Sequence, residues 1–287
     1  MVKLLDCDIQ TREVTQWKGL HLFHGQTSSC SQKVRIFLNF KGVEWTSHLL
    51  DMLAKENLTP WYLGINPRGL VPVLVDNGDV HIESNDILLH LEERFPEPPL
   101  IPQGTRETVA QMLAFEDELH LDLRTLTARV MFPSDHRFKT DEDLERYRTA
   151  SSGTVLGKRD PHIEREIEFW ANFERSGISL EETRDSARRF QEALSDIDER
   201  LGRQRYILGE SLSLLDIAWV VYSVRLGVVG YPVERLHPNL GAWLQDCLQR
   251  PEISSEVTPS PDMAAYARAR REDLVGKGQS IEALCFS

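Results

Sequence analysis

Three short stretches carry side chains able to do chemistry. Ser28, Ser29 and Cys30 set two hydroxyls and a thiol in a row. They follow the short apolar run HLFH (21–24) and a polar loop, and they head a stretch, Cys30–Phe40, that places Val34, Phe37 and Leu38 on one helical face. A hydroxyl at the start of a helix has two uses. It caps an orphan backbone N–H, or it offers an O–H donor where the N–H groups and partial positive charge of the helix already favour an anion. Both uses stay open for Ser28 and Ser29, and Cys30 is read equally as a small buried residue or a reactive thiol. Val71-Pro72 opens a β-branched run and is either an ordinary strand-start proline or a cis bond. Ser84, after Glu83, reads as an N-cap, with Asp86 in the first turn of the helix it opens.

The elements that position these residues change character near residue 100. HLFH is a strand, Cys30–Phe40 a helix closed by Lys41-Gly42, and Val43–Leu50 a second strand. Met52–Gly64 is polar and loosely helical. Val71–Asp76 and Asp79–Ile82 flank Asn77-Gly78, a strong two-residue hairpin turn. A helix then runs from Ser84 to about Phe95. The order β-α-β, loop or helix, β-hairpin, α predicts a thioredoxin-like α/β domain over residues 19–102, preceded by an extension, 1–18. Pro96, Pro98, Pro99 and Pro102 mark a linker. Residues 103–287 show no convincing strand and read as an all-helical domain. Its helices are expected over Glu107–Phe132, over Leu180–Leu201, and after the capping-box-like Ser213…Asp216. A polar, Arg- and Glu-rich insertion near 134–178 is expected to be a surface excursion. The tail after Pro251 is expected to be a short surface helix.

Composition bounds the function. The 287 residues suit two domains, and 45 acidic against 33 basic residues give a net charge of −12. That balance excludes a broad basic footprint for nucleic acid or anionic membrane. Cys7, Cys30, Cys247 and Cys285 lack disulfide-framework or metal-ligand spacing, so no metal is expected and a reducing compartment fits. The first ten residues, MVKLLDCDIQ, lack the long apolar core of a signal peptide. The most apolar stretch, Leu214–Val229, is interrupted by Asp216 and Arg225, so no membrane span is expected. A cytoplasmic protein is the expectation.

SSCSQKVRIFLNFKG (28–42) resembles the first loop and helix of the glutathione transferases, and of their zeta class above all. INPRGLVPVLVD (65–76), HIESNDILLHLEERFPEPPLIP (81–102) and GESLSLLDIAWV (209–220) resemble three further segments of that family in the same order. The resemblance is close over 19–102, good near 205–220 and thin elsewhere. It implies the glutathione transferase fold, a thioredoxin-like domain followed by an all-helical one, with glutathione as cosubstrate.

The resemblance also assigns roles. Ser28, with Ser29 and Cys30 beside it, would activate the glutathione thiol. Val71, turned by a cis Pro72, would pair with the peptide of glutathione, and Glu83 and Ser84 would hold its γ-glutamyl end. Asp86 stands where the family has a small residue, and would help neutralise the amino group or face solvent. The substrate pocket would lie between the domains, with Arg124, Arg129, Phe132, Tyr147, Tyr222 and Arg225 as candidates.

The implied reaction is transfer or lyase chemistry, thiolate attacking the electrophilic carbon of an apolar or aromatic substrate, an aryl ether included. One alternative is a non-catalytic binding or heterodimer subunit. Others are a zeta-like cis–trans isomerase and a Cys30 thioltransferase. Zeta isomerases carry a substrate-binding arginine that would fall near Val228 here, whereas the nearest arginine, Arg225, is about one turn early. Family members pair as dimers, so a homodimer, or a heterodimer with a paralogue, is expected.

Overall fold

The computed structural model describes residues 2–132 and 138–286. The chain divides into two compact units, 1–94 with 137–177, and 95–136 with 178–287.

The first unit is built on a sheet. Its strands are β1 (Val2–Lys3), β2 (Leu20–His24), β3 (Thr46–Leu49), β4 (Val73–Asp76) and β5 (Asp79–Ile82), in the order β1-β5-β4-β2-β3. Only β2 and β3 are parallel. Between β2 and β3 lies α1 (Ser29–Lys41), between β3 and β4 the short α2 (Pro60–Leu63), and after β5 comes α3 (Ser84–Arg94). Gly42 ends α1 at φ 60°, the left-handed conformation that glycine adopts without cost. Asn77 and Gly78, at φ 50° and 93°, make the β4–β5 hairpin turn that their sequence predicts.

The leader is part of this sheet. β1 pairs with β5, and Leu4, Ile9 and Val14 join the core cluster of Phe23, Tyr62, Val73, Val75 and Ile82. The Val2 N–H donates to the Asp86 carboxylate at 2.8 Å. Asp86 is half-buried and anchors the edge strand through this bond.

The excursion clusters with this unit and not with the helical one. It contains α6 (Asp141–Thr149), β6 (Thr154–Val155), β7 (Lys158–Arg159) and α7 (Pro161–Ser176); residues 134–137 of the expected insertion lie outside the described residues. The hairpin β6–β7 corrects the expectation of no strand after residue 102. Leu156 and Gly157, at φ 54° and 70°, supply its tight turn, and two-residue strands leave too little alternation to read in sequence. Leu144, Tyr147, Ile163 and Ile167 bury against Leu58 and Leu63, so apolar burial holds the excursion down.

The second unit is helical: α4 (Arg106–Glu118), α5 (His120–Met131), α8 (Leu180–Leu201), α9 (Leu214–Val228), α10 (Val233–Leu236), α11 (Pro238–Leu248), α12 (Pro251–Val257), α13 (Pro261–Gly276) and α14 (Ile281–Cys285). The single helix expected over Glu107–Phe132 is two, meeting at Leu119, where ψ of −1° takes the chain off the helical path. Ser213 and Asp216 form the capping box. Asp216 is wholly buried and accepts from the Ser213 N–H and Oγ, the Ile207 N–H and Trp243 Nε1. Burial pushes its carboxyl above the usual range despite those donors. The tail is three helices rather than one. Arg270 and Tyr266 of α13 donate to the Val130 and Met131 carbonyls at the end of α5, at 3.0 and 2.8 Å.

Candidate active site

Sheet register gathers the predicted residues at one end. Phe23, Val73 and Ile82 stand side by side across β2, β4 and β5. The next residues outward are His24 leading to Ser28, Pro72 with Val71, and Glu83 with Ser84. The helices that begin there, α1 and α3, pack on each other. Two helix N-termini therefore share the sheet end that carries the three motifs, an arrangement suited to anionic groups.

Ser28 is the N-cap of α1, and its Oγ accepts the Ser31 N–H at 3.2 Å. Accepting that bond leaves the hydroxyl proton, and among the described residues nothing takes it. Capping and donating are thus compatible in one side chain. Ser29 is the first residue of α1 and is buried. Cys30 follows it, half-buried and in no disulfide.

Gly25 shows how close the pieces come. A Cβ there would lie 3.4 Å from Ser28 Cβ, 3.4 Å from Val71 Cγ2 and 3.1 Å from Met52 Cγ. The Val71–Pro72 bond is cis. Among the described residues the Val71 N–H and C=O meet no backbone or side-chain partner, so both remain available to an extended peptide. Ser84 is buried at the first position of α3, and the cap position is Glu83 one residue earlier: its carbonyl accepts the Ile87 N–H at 2.9 Å, with φ at 67°.

Four further residues shape this end of the sheet without having been singled out in the sequence. Arg35 is buried and donates to the Gly25 and Gln26 carbonyls at 3.1 and 2.9 Å, and to His24 Nδ1 at 3.2 Å. The bond to Nδ1 places the ring proton on Nε2, which then donates to Ser47 Oγ at 2.8 Å. Arg68 donates through Nη1 to Glu83 Oε1 at 2.5 Å, and through Nε and Nη2 to both oxygens of Asp160 at 2.6 and 3.2 Å. Burial disfavours the charge on Arg68, but Asp160 and Glu83 outweigh it and hold the guanidinium above its usual value. Burial likewise works against the Asp160 charge, and Arg68 outweighs it, holding that carboxyl below its usual range. Arg35 and Arg68 sit inside the motifs, yet spacing shows a motif and not the partners within it.

The substrate-pocket candidates divide. Tyr147 is 1% exposed, packed in the excursion's apolar cluster with its ring over Gly69. Tyr222 is fully buried, with its hydroxyl 3.1 Å from His120 Nδ1. Both are core side chains, a correction to their reading as pocket lining: an aromatic at helical spacing serves a core as readily as a cavity. Arg129 donates to the Ile178 and Gln279 carbonyls, which fixes chain within its own unit. Arg124, Phe132 and Arg225 are half-buried on or beside the packed helices α5 and α9. The helical unit also holds a cavity of about 650 Å³, lined in part by Ser223, Gly227, Val228, Tyr231, Leu244 and Arg271 and by none of the expected residues. Among the described residues no His, Cys, Asp and Glu group is placed to hold a metal, and no helix is long and apolar enough to cross a membrane.

The chain matches the family models "Glutathione S-transferase, N-terminal domain" over residues 27–94 and "Glutathione S-transferase, C-terminal domain" over residues 161–246. A zeta-class glutathione S-transferase of Euphorbia esula is 47% identical over 83 residues, 29% of this chain and 37% of that protein, so the chain spans well under two thirds of that relative. Protein LigF of Sphingobium sp. SYK-6 is 26% identical over 245 residues, 82% of this chain and 88% of LigF. The crystal structure of that protein, a β-etherase, superposes with a TM-score of 0.67 over 83% of this chain and 98% of LigF. A glutathione transferase homologue of Drosophila mojavensis with bound glutathione, 17% identical, shares the fold at a TM-score of 0.63 over 88% of this chain and 97% of that one. The two matched models together cover more than half of the residues, and the chain belongs to the glutathione S-transferase superfamily.

Proposed function

We propose that this chain is a glutathione transferase or glutathione-dependent lyase acting at the electrophilic carbon of an apolar or aromatic substrate. The observation that carries the reading is Ser28: an N-cap hydroxyl with its proton unspent, at the head of α1 and beside Val71. Glutathione supplies a thiol whose thiolate bonds to the substrate carbon while the leaving group departs with its electron pair. Ser28 donates its O–H to the sulfur, and the N-terminus of α1 adds partial positive charge; together they lower the thiol pKa without a full cation. Val71 offers its N–H and C=O to the peptide. The Glu83 carboxylate takes the γ-glutamyl amine, and the N-terminus of α3 with Ser84 takes the neighbouring carboxylate.

The likeness to LigF supports an ether among the substrates. The zeta-class likeness extends over only 83 residues and does not carry isomerisation. Dimerisation, with itself or a paralogue, and cytoplasmic residence belong to the same reading.

The test compares Ser28→Ala with Cys30→Ser on an accepted aromatic electrophile. Ser28→Ala is expected to lower turnover roughly 10- to 100-fold, the worth of one hydrogen bond to a charged group, and to move the activity onset to higher pH. Cys30→Ser is expected to stay near wild type. A Ser28→Ala enzyme as fast as wild type overturns the assignment. A glutathione adduct on Cys30, found by mass spectrometry together with loss of activity in Cys30→Ser, would favour thiol–disulfide chemistry instead.

A further inference from the structure

Arg68 lies between α2 and β4 and is gripped from both sides. Its Nη1 is on Glu83, and its Nε and Nη2 form a two-pronged contact with Asp160. Asp160 comes from the excursion, 92 positions along the chain. Its side chain is 5% exposed, and it is the N-cap of α7, also accepting the His162 N–H at 3.2 Å. The excursion is pinned beside it. Tyr147 covers Gly69, Lys55 pairs with Asp143, and Asp8 accepts from the Thr154 hydroxyl and the Gly157 N–H at 2.7 and 3.0 Å. Arg68 therefore has one orientation, and so does the Glu83 oxygen it holds.

We propose that Asp160 and Arg68 are positioning residues for the γ-glutamyl amine of glutathione, acting through Glu83. The inference rests on the glutathione reading above. Two effects work together. Arg68 fixes one oxygen of a side chain with several rotors and leaves Glu83 Oε2 to accept the ammonium, so less rotamer freedom is lost on binding. Charge matters as much. An Arg68–Glu83 pair alone is neutral and would attract an ammonium weakly. Asp160 supplies the second carboxylate, leaving one net negative charge on the cluster with its free acceptor on Glu83. The excursion thereby tunes a subsite to which it contributes no ligand-contacting atom.

The experiment measures, by calorimetry on the full chain, binding of glutathione and of its deamino analogue, in which hydrogen replaces the γ-glutamyl amino group. Wild type is expected to prefer glutathione. Asp160→Asn keeps a competent helix cap but removes the charge. It is expected to weaken glutathione roughly 10- to 100-fold, the range covered by one charge-assisted hydrogen bond, while the analogue changes less than about twofold. Arg68→Lys keeps the charge but not the fork, and is expected to narrow the same preference. In a Glu83→Gln background, Asp160→Asn is expected to add nothing, because the two act as a unit. Arg188→Met cuts an exposed ion pair on α8 that has no part in the excursion and should leave the preference intact. Equal weakening of both ligands by Asp160→Asn and Arg68→Lys would overturn the proposal in favour of a plain structural brace, as would no weakening of either. A wild type that binds neither ligand would instead remove the glutathione reading itself, and the proposal with it.

Discussion

Arg35→Met should loosen the loop that delivers Ser28. Arg35 is 3% exposed and its guanidinium ties together three consecutive residues, His24, Gly25 and Gln26, immediately before Thr27 and Ser28. Methionine fills much of the same volume but donates nothing. Each lost charge-assisted bond is worth about 1.5–3 kcal/mol, and such losses within one network do not add in full. The Gly25 carbonyl keeps the Ser28 N–H at 3.3 Å, so it is not orphaned, which limits the cost. The net loss is about 2–4 kcal/mol of local stability. Hydrogen exchange read by mass spectrometry on peptides covering 24–31 measures it directly. Exchange there should quicken roughly 30- to 1,000-fold, the kinetic equivalent of that range, while β4 and β5 change far less. Arg35→Lys should fall between, since a single ammonium cannot reach both carbonyls and the imidazole at once. Unchanged exchange in the 24–31 peptides of Arg35→Met would refute the view that this residue holds the Ser28 corner.

Two further perturbations test the scaffold. Gly69→Ala should cost about 2–4 kcal/mol, because a side chain at φ 59° is strained and its Cβ would lie 2.8 Å from the Tyr147 ring and 3.0 Å from Leu63 Cδ2; a melting temperature equal to wild type would contradict the close packing of the excursion. His81 is held at about 4, first by burial and then by the His90 ring stacked 4.0 Å away, and among the described residues its Nε2 has no hydrogen-bond partner. The unfolded chain protonates this residue near 6.5, so it binds more protons than the folded chain between the two values. Its stabilising contribution is complete above pH 6.5 and is lost as pH falls towards 4. His81→Leu should therefore flatten the decline of melting temperature between pH 7 and 4, and a decline parallel to wild type would sink this account.

What the sequence made legible is local. Asn77-Gly78 fixes its hairpin because both residues tolerate positive φ, and Gly42 ends α1 for the same reason. Ser213 and Asp216 announce α9 because a capping box is a contact three residues long. What stayed hidden depends on partners far along the chain. The Asp86 carboxylate takes a backbone N–H 84 positions away, and Arg68 meets an aspartate 92 positions away; composition near either residue carries no trace of this. β1, β6 and β7 are two residues each, too short for alternation to declare itself. Tyr147 and Tyr222 sit at helical spacings that a core and a pocket share, and only burial separates the two.

The leader, the excursion and the loop carrying Arg68 form one chain of contacts within the first unit. β1 closes the sheet edge beside β5 and is held by Asp86 of α3. Asp8, a few residues later, takes the hydroxyl and N–H of the excursion hairpin. The excursion in turn places Tyr147 on Gly69 and Asp160 on Arg68. The leader, and the excursion as far as Asp160, lie outside the residues that match the family models, which begin at 27 and resume at 161 with α7. The matched residues therefore supply the groups that would meet glutathione, and the unmatched ones supply the bracing behind them. Loosening Asp8 or Tyr147 should act on the site through the order of the 66–70 loop rather than through any contact with ligand. Exposed polar loops are ordinarily among the least stable parts of a fold. Here the loop is covered by a buried tyrosine and bound by a buried, bidentate ion pair, and that is the physical sense in which this chain differs from a bare thioredoxin-like domain.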